Sequence, residues 1–157
     1  MRRASSAVRF DHASILRVLA LVLLLAAAMH GFAQEKFSTT QIKVGSHTLK
    51  VEVAASDAQR MQGLMHREKL GKNDGMVFIF DEPAYQSMWM KNTFIPLSVA
   101  FLDGDGVILN ILDMEPHTLT PNMSAGPARY AVETNKGWFE ERKVKSGDRF
   151  TGLPRVR

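Results

Sequence analysis

The stretch Met76-Val77-Phe78-Ile79-Phe80 sets five apolar residues in a row, after turn formers at Gly71, Asn73, Asp74 and Gly75 and before the polar break Asp81-Glu82-Pro83. Such a run is short for a helix and lacks the alternation of a strand with one wet face. It is expected as a β-strand buried on both sides. The rest of the chain must then supply cover for two faces.

Most of what surrounds it also has strand character. Ile42 and Val44 alternate with polar neighbours, Gly45-Ser46 turns, and Leu49, Val51 and Val53 alternate again, which predicts a hairpin. Tyr85 to Met90 is a further candidate strand. Leu97 to Leu102 and Val107 to Asp113 are β-rich and joined by Asp103-Gly104-Asp105-Gly106, where glycine accepts positive φ without steric cost. Pro116, Pro121 and Pro127 bracket a long loop, Tyr130 to Thr134 reads as a strand, and Ser146-Gly147 turns into a last strand at Arg149 to Thr151. The period changes in two places. Ser56 followed by Gln59 forms a capping pair, and Ala58, Met61 and Met65 at helical spacing, with Leu64 beside them, predict one short helix ending near His66. Lys136 to Lys143, with Trp138 and Phe139, suits a helical turn. The expectation is a mostly-β, β-rich α+β domain: a small closed or partly open β-barrel with one short helix near its start, since closure removes exposed strand edges.

The front of the chain has another logic. Arg2, Arg3, Arg9 and Arg17, against the single acid Asp11, precede the apolar run Val18 to Met29. This is the layout of a signal peptide. Twelve apolar residues make a helix of roughly 18 Å, short of the roughly 30 Å hydrocarbon core, so no permanent membrane span is expected after cleavage. Gly31 and Ala33 place that cleavage after Ala33, giving a leader over 1–33, a flexible lead-in over 34–40 and a domain over 41–157. Arg2-Arg3 matches the start of a twin-arginine signal, but two arginines are expected in a basic n-region without it, which favours ordinary secretion. The destination is periplasmic or secreted.

The leader also explains the charge. The whole chain has 20 Lys and Arg against 16 Asp and Glu, a net charge of +4. Without the leader, 16 basic residues face 15 acids, and the basic footprint that phosphate backbones require is gone. Nucleic acid is not an expected partner. The complete absence of cysteine excludes disulfides, thiolate metal sites and thiol nucleophiles.

Three constellations carry chemistry. Met88-Trp89-Met90-Lys91-Asn92-Thr93 packs an aromatic, an amine and an amide together, and strand alternation would put Met88 and Met90 on one face with Trp89 and Lys91 on the other. Lys91 and Asn92 suit a carboxylate, a phosphate or sugar hydroxyls beside the Trp89 platform; alternatively Lys91 pairs with an acid such as Glu133 and Asn92 supports a turn. Seven methionines lie beyond the leader, Met61 and Met65 one helical turn apart beside His66, and Met88 and Met90 paired. Thioethers with a histidine select cuprous copper, so Met88 and Met90 form an alternative metal site, although Met61 and Met65 on an apolar helix face usually fill core gaps. Asp113, Glu115 and His117 alternate as a hard-metal or acid–base set would, but Pro116 breaks the ladder and favours a solvated strand end. No nucleophile elbow, phosphate loop or HExxH pattern occurs.

Read together, GLMHR at Gly63 to Arg67, GMVFIF at Gly75 to Phe80, MWMKNTFIPL at Met88 to Leu97, RYAVET at Arg129 to Thr134 and SGDRF at Ser146 to Phe150 resemble the domain of unknown function 192 family, over roughly Ile42 to Phe150. The resemblance implies a small, often exported, barrel-like β protein with a helix near its start and no established activity. It places the family's pattern on Gly63, Leu64, Met65, Arg67, Gly75, Met76, Trp89 to Thr93, Pro96, Glu133, Gly147 and Asp148; Met88 departs from it, standing where the family commonly has an aromatic residue. The expected function is a non-enzymatic, exported ligand-binding or accessory domain with Arg67, Trp89, Lys91, Asn92 and Glu133 as candidate site, no cofactor, and a small molecule or envelope protein as partner. The alternatives are an enzyme using Lys91 and Glu133 as base and acid around Asn92, and cuprous copper binding.

Overall fold

A computed structural model describes residues 36–155. The leader and the cleavage after Ala33 lie outside the described residues. Nine strands follow one another as β1 (Ser38–Val44), β2 (His47–Ala54), β3 (Asp74–Ala84), β4 (Ser87–Met88), β5 (Leu97–Leu102), β6 (Ile108–Met114), β7 (Asn122–Met123), β8 (Ala128–Asn135) and β9 (Phe150–Thr151). Two short helices interrupt them, α1 (Asp57–Gln62) and α2 (Trp138–Glu141). β1 begins at Ser38, inside the expected lead-in, because Ser38 to Thr40 pair with Val51 to Val53.

Seven strands form one sheet in the order β6-β5-β8-β3-β2-β1-β9, and β4 pairs with β7 separately. Among the described residues only β2 and β3 run parallel, which requires a crossover connection, and α1 lies in it. Ser56 caps α1 as the sequence predicts: its side chain accepts from the Gln59 amide at 3.2 Å, while Gln59 Oε1 accepts from the Ser56 amide at 3.2 Å. Gly63 ends the helix at φ 46°. Among the described residues no helix is long and apolar enough to cross a membrane.

The sheet curls into a half-barrel and does not close. Its edges meet at a bridge between Val107 and Arg149, with the Ile108 amide donating to the Asp148 carbonyl at 2.9 Å and the Phe150 amide to the Gly106 carbonyl at 2.8 Å. β9 has only two residues, too few to carry a ladder along β6. Gly106, at φ 80°, lets the edges approach: a Cβ there would stand 2.6 Å from the Phe150 carbonyl oxygen.

The apolar run behaves as its composition demands. Val77 and Ile79 enter a core with Val51, Leu102, Val132, Trp138 and Phe139, whereas Met76 and Phe78 enter a second core with Leu64, Met90, Leu97, Val99 and Phe101. β3, β5 and β8 therefore bury side chains of both parities. α2 supplies Trp138 and Phe139 to the first core.

Two local expectations change. α1 buries no residue, and Met61, expected on an apolar face, is 62% exposed, because the helix ends before a second turn can pack. Tyr85 to Met90 is not a strand throughout. Only Ser87 and Met88 pair, with Met123 and Asn122, after which the Met90 amide donates to the Thr118 carbonyl and Asn92 adopts φ 53°.

Candidate functional site

The departure from strand geometry at Met88 decides what the Trp89 region does. Met90 is fully buried in the second core, while Trp89 is 43% exposed and Met88 half-buried, and both of the latter line one cavity. The alternation that would have set Trp89 opposite Met88 is lost with the strand. Met90 is enclosed in the second core, and Met88 packs against that same core from the cavity side.

That cavity has a volume of about 700 Å³, within the range of small-molecule sites. Gly63, Leu64 and Met65 border it after α1; Phe78 and Phe80 come from β3, Trp89 and Thr93 from the segment after β4, and Glu133 from β8. Met61 and the charged residues Asp57, Arg60, Asp81 and Glu82 also line it. The β4–β7 pair positions the Trp89 side, helped by the Gln86 amide donating to Ser124 Oγ at 2.9 Å and the Ser124 amide to the Gln86 carbonyl at 2.9 Å.

Glu133 is 3% exposed and lies on a strand whose neighbours Ala131, Val132 and Thr134 are also buried. Its register partners are Met76 on β3 and Val99 on β5, both apolar. Burial alone pushes its carboxyl up to about 8, with no hydrogen bond or neighbouring charge contributing. Glu133 is therefore predominantly protonated at neutral pH. Arg60, by contrast, is fully committed: it donates to the Ile79 carbonyl at 2.8 Å and to the Ala55 carbonyl, and it pairs with Asp57 and Asp81.

The structure divides the five candidate residues. Trp89 and Glu133 line the same cavity. Lys91 is exposed, its ammonium 5.4 Å from the Trp89 ring centroid, and it is absent from the lining, so no Lys91–Glu133 ion pair forms. Asn92 serves a turn, its carbonyl accepting from the His66 amide at 2.8 Å. Arg67 makes a two-pronged pair with Glu52, both contacts at 2.7 Å, and borders a smaller cavity of about 440 Å³. The Glu52 carboxylate raises the Arg67 pKa further above its ordinary value, chiefly by accepting that hydrogen bond.

Asp113, Glu115 and His117 also separate. Asp113 accepts from Ser98 Oγ at 2.5 Å, Glu115 pairs with Lys136, and His117 stacks on Phe94 with centroids 5.3 Å apart. Among the described residues, no group of three or more His, Asp or Glu is arranged to hold a metal. Residues that sequence reasoning did not place in the site include Phe78, Phe80, Met61, Arg60 and Asp81; their exposure to a cavity depends on loops that no periodicity reports.

Fold and site together define a β-rich half-barrel with a side pocket floored by a lone buried acid. The chain belongs to the domain of unknown function 192 family, described as an uncharacterized ACR, whose model matches residues 39–152. Several solved structures are similar to it, two of which follow. One, a candidate transcription regulator of Sinorhizobium meliloti 1021, is 34% identical with a TM-score of 0.73, the match covering 76% of this chain and 97% of that one. The other, a protein of unknown function from Novosphingobium aromaticivorans DSM 12444, is 30% identical with a TM-score of 0.70, covering 75% of this chain and 94% of that one. No curated protein matches.

Proposed function

We propose that the chain is an exported, non-enzymatic binding protein of the periplasm or extracellular space, and that it holds a small molecule in the cavity between Trp89 and Glu133. The observation that carries this reading is Glu133 itself: the residue is only 3% exposed, its carboxyl forms no hydrogen bond or ion pair within the described residues, and it opens onto a cavity large enough for a ligand. Six positions on which the family resemblance rests, Gly63, Leu64, Met65, Trp89, Thr93 and Glu133, meet in that lining. Export is supported by the basic and apolar leader.

Saturation-transfer NMR of a fragment set against the protein expressed with its own leader and purified from the periplasm tests the site. Fragments are expected to bind the native protein and to lose binding in both Trp89→Ala and Glu133→Gln. Fragments that bind the two variants as well as the native protein would place binding elsewhere. Recovery of the protein from the cytoplasm alone, with the leader intact, would overturn the export reading.

A further inference from the structure

The charge around the cavity says more about its occupant than its size does. Five charged residues line it: Asp57 and Arg60 from α1, Asp81 and Glu82 from β3, and Glu133 from β8. Four of the five are acids. Arg60 is consumed by Asp57, Asp81 and two backbone carbonyls, so it presents no vacant donor pair for a carboxylate or phosphate. An anionic ligand would meet unpaired acid instead. At the mouth, the half-exposed Trp89 ring already has an ammonium, that of Lys91, 5.4 Å from its centroid, which shows that its face is accessible to cations. Met61, Met65 and Met88 add polarisable, adaptable apolar surface between these polar ends.

We propose that the cavity binds an organic ammonium ion, its charged head against the Glu133 carboxylate and its apolar body against Trp89 and the methionines. This rests on the cavity being a ligand site, and it names the ligand class. A cation supplies what Glu133 lacks: among the described residues it forms no ion pair, and Arg60 in the same lining is held by Asp57 and Asp81. On β2 the nearest acid across Met76 is Glu52, already neutralised by Arg67, and Lys91 stays outside the lining. Because burial keeps Glu133 protonated near neutrality, entry of the cation is coupled to loss of that proton, which passes to the buffer. The complex then contains one carboxylate and one ammonium. A neutral ligand of equal shape leaves the proton in place.

Isothermal titration of the protein, expressed with its own leader and purified from the periplasm, tests this with choline and its uncharged carbon isostere 3,3-dimethylbutan-1-ol. Titrations at pH 7 in phosphate and in Tris, whose ionisation enthalpies differ, count the protons released. Choline is expected to bind at least ten-fold more tightly than the isostere, with release of between a half and one proton, and Glu133→Gln is expected to remove the preference. Equal affinity for the two, or binding of choline without proton release, overturns the ammonium assignment while leaving the cavity as a site. If neither compound binds and neither perturbs the NMR signals of Trp89 or Thr93, the ammonium assignment fails together with the cavity reading. The isostere comparison is made on the native chain, so it holds even if Glu133→Gln folds poorly.

Discussion

Glu52 and Glu133 stand in register on either side of Met76, one on β2 and one on β8, yet only Glu52 has a cation beside it. The two carboxyls share a sheet face and differ in everything that sets their charge. Arg67 grips Glu52 through two hydrogen bonds of 2.7 Å, whereas Glu133 has a 3% exposed side chain with apolar register partners. One face thus combines a structural ion pair and an acid held in reserve.

The reserve acid makes stability depend on pH in a definite direction. Glu133 binds its proton more tightly in the folded chain, with a pKa of about 8 against an ordinary 4.5. Below 4.5 both states are protonated and burial of the carboxyl carries no ionisation cost. Between 4.5 and 8 the unfolded chain releases its proton while the folded chain keeps it, so this contribution falls by up to about 1.4 kcal/mol per pH unit. Above 8 the loss is complete. Urea unfolding at pH 5, 7 and 9 should show this decline, and Glu133→Gln should flatten it and be the more stable chain at pH 9. Parallel pH profiles for the two proteins would show that Glu133 does not titrate in this way.

Removing Arg67 should affect stability and leave the large cavity alone. Its guanidinium and the Glu52 carboxylate are each about one-quarter exposed, so the pair is partly shielded from solvent. Arg67→Ala strands that carboxylate and should cost roughly 1–3 kcal/mol in urea unfolding. Arg67→Lys should recover less than half of this, because an ammonium cannot make both prongs. Ligand affinity at the Trp89 cavity should stay within about two-fold of the native value, since Arg67 does not line it. A larger loss of affinity would mean that the ion pair also shapes the site.

Gly75 tests how closely β3 must approach the strand that carries Glu133. A Cβ at this position would sit 2.4 Å from the Glu133 backbone carbonyl oxygen, so alanine has to push the two strands apart. Gly75→Ala should destabilise by roughly 2–3 kcal/mol and weaken ligand binding with it. Gly104→Ala is the control, because nothing lies within 4 Å of its added methyl group; a change within about 0.5 kcal/mol is expected there. Equal melting temperatures for the two variants would rule out a tight β3–β8 approach.

The strands could be read from the sequence where a local rule determines them. Leu49, Val51 and Val53 alternate and pair as expected, and the Met76 to Phe80 run sends successive side chains into two cores. Glu133 and Trp89 were recognisable as unusual residues. Their meeting was not, because it depends on Ser87 and Met88 pairing with Met123 and Asn122, residues 36 and 34 positions away, and on a chain that stops being extended after Met88. The same break buries Met90 and leaves Trp89 at the cavity mouth, which no period-two pattern starting at Tyr85 can express. Closure of the barrel failed for a reason of length, since β9 ends after two residues.

Trp89 and Lys91 offer opposite outcomes from neighbouring positions. Trp89 is 43% exposed, so Trp89→Ala removes a little over half of the residue's surface from burial and should lower stability by roughly 1–3 kcal/mol while leaving the chain folded. It should nevertheless weaken ammonium binding about five-fold or more, since the aromatic face is lost. Lys91 lies 5.4 Å from the same ring and carries the charge of the proposed ligand. Lys91→Gln relieves that repulsion and should strengthen choline binding two- to five-fold, with the effect shrinking as salt is raised. If Lys91 instead acted as a base or held a carboxylate, the same variant would weaken binding, so the sign of the change measured by titration at 20 mM and 300 mM salt separates the two roles.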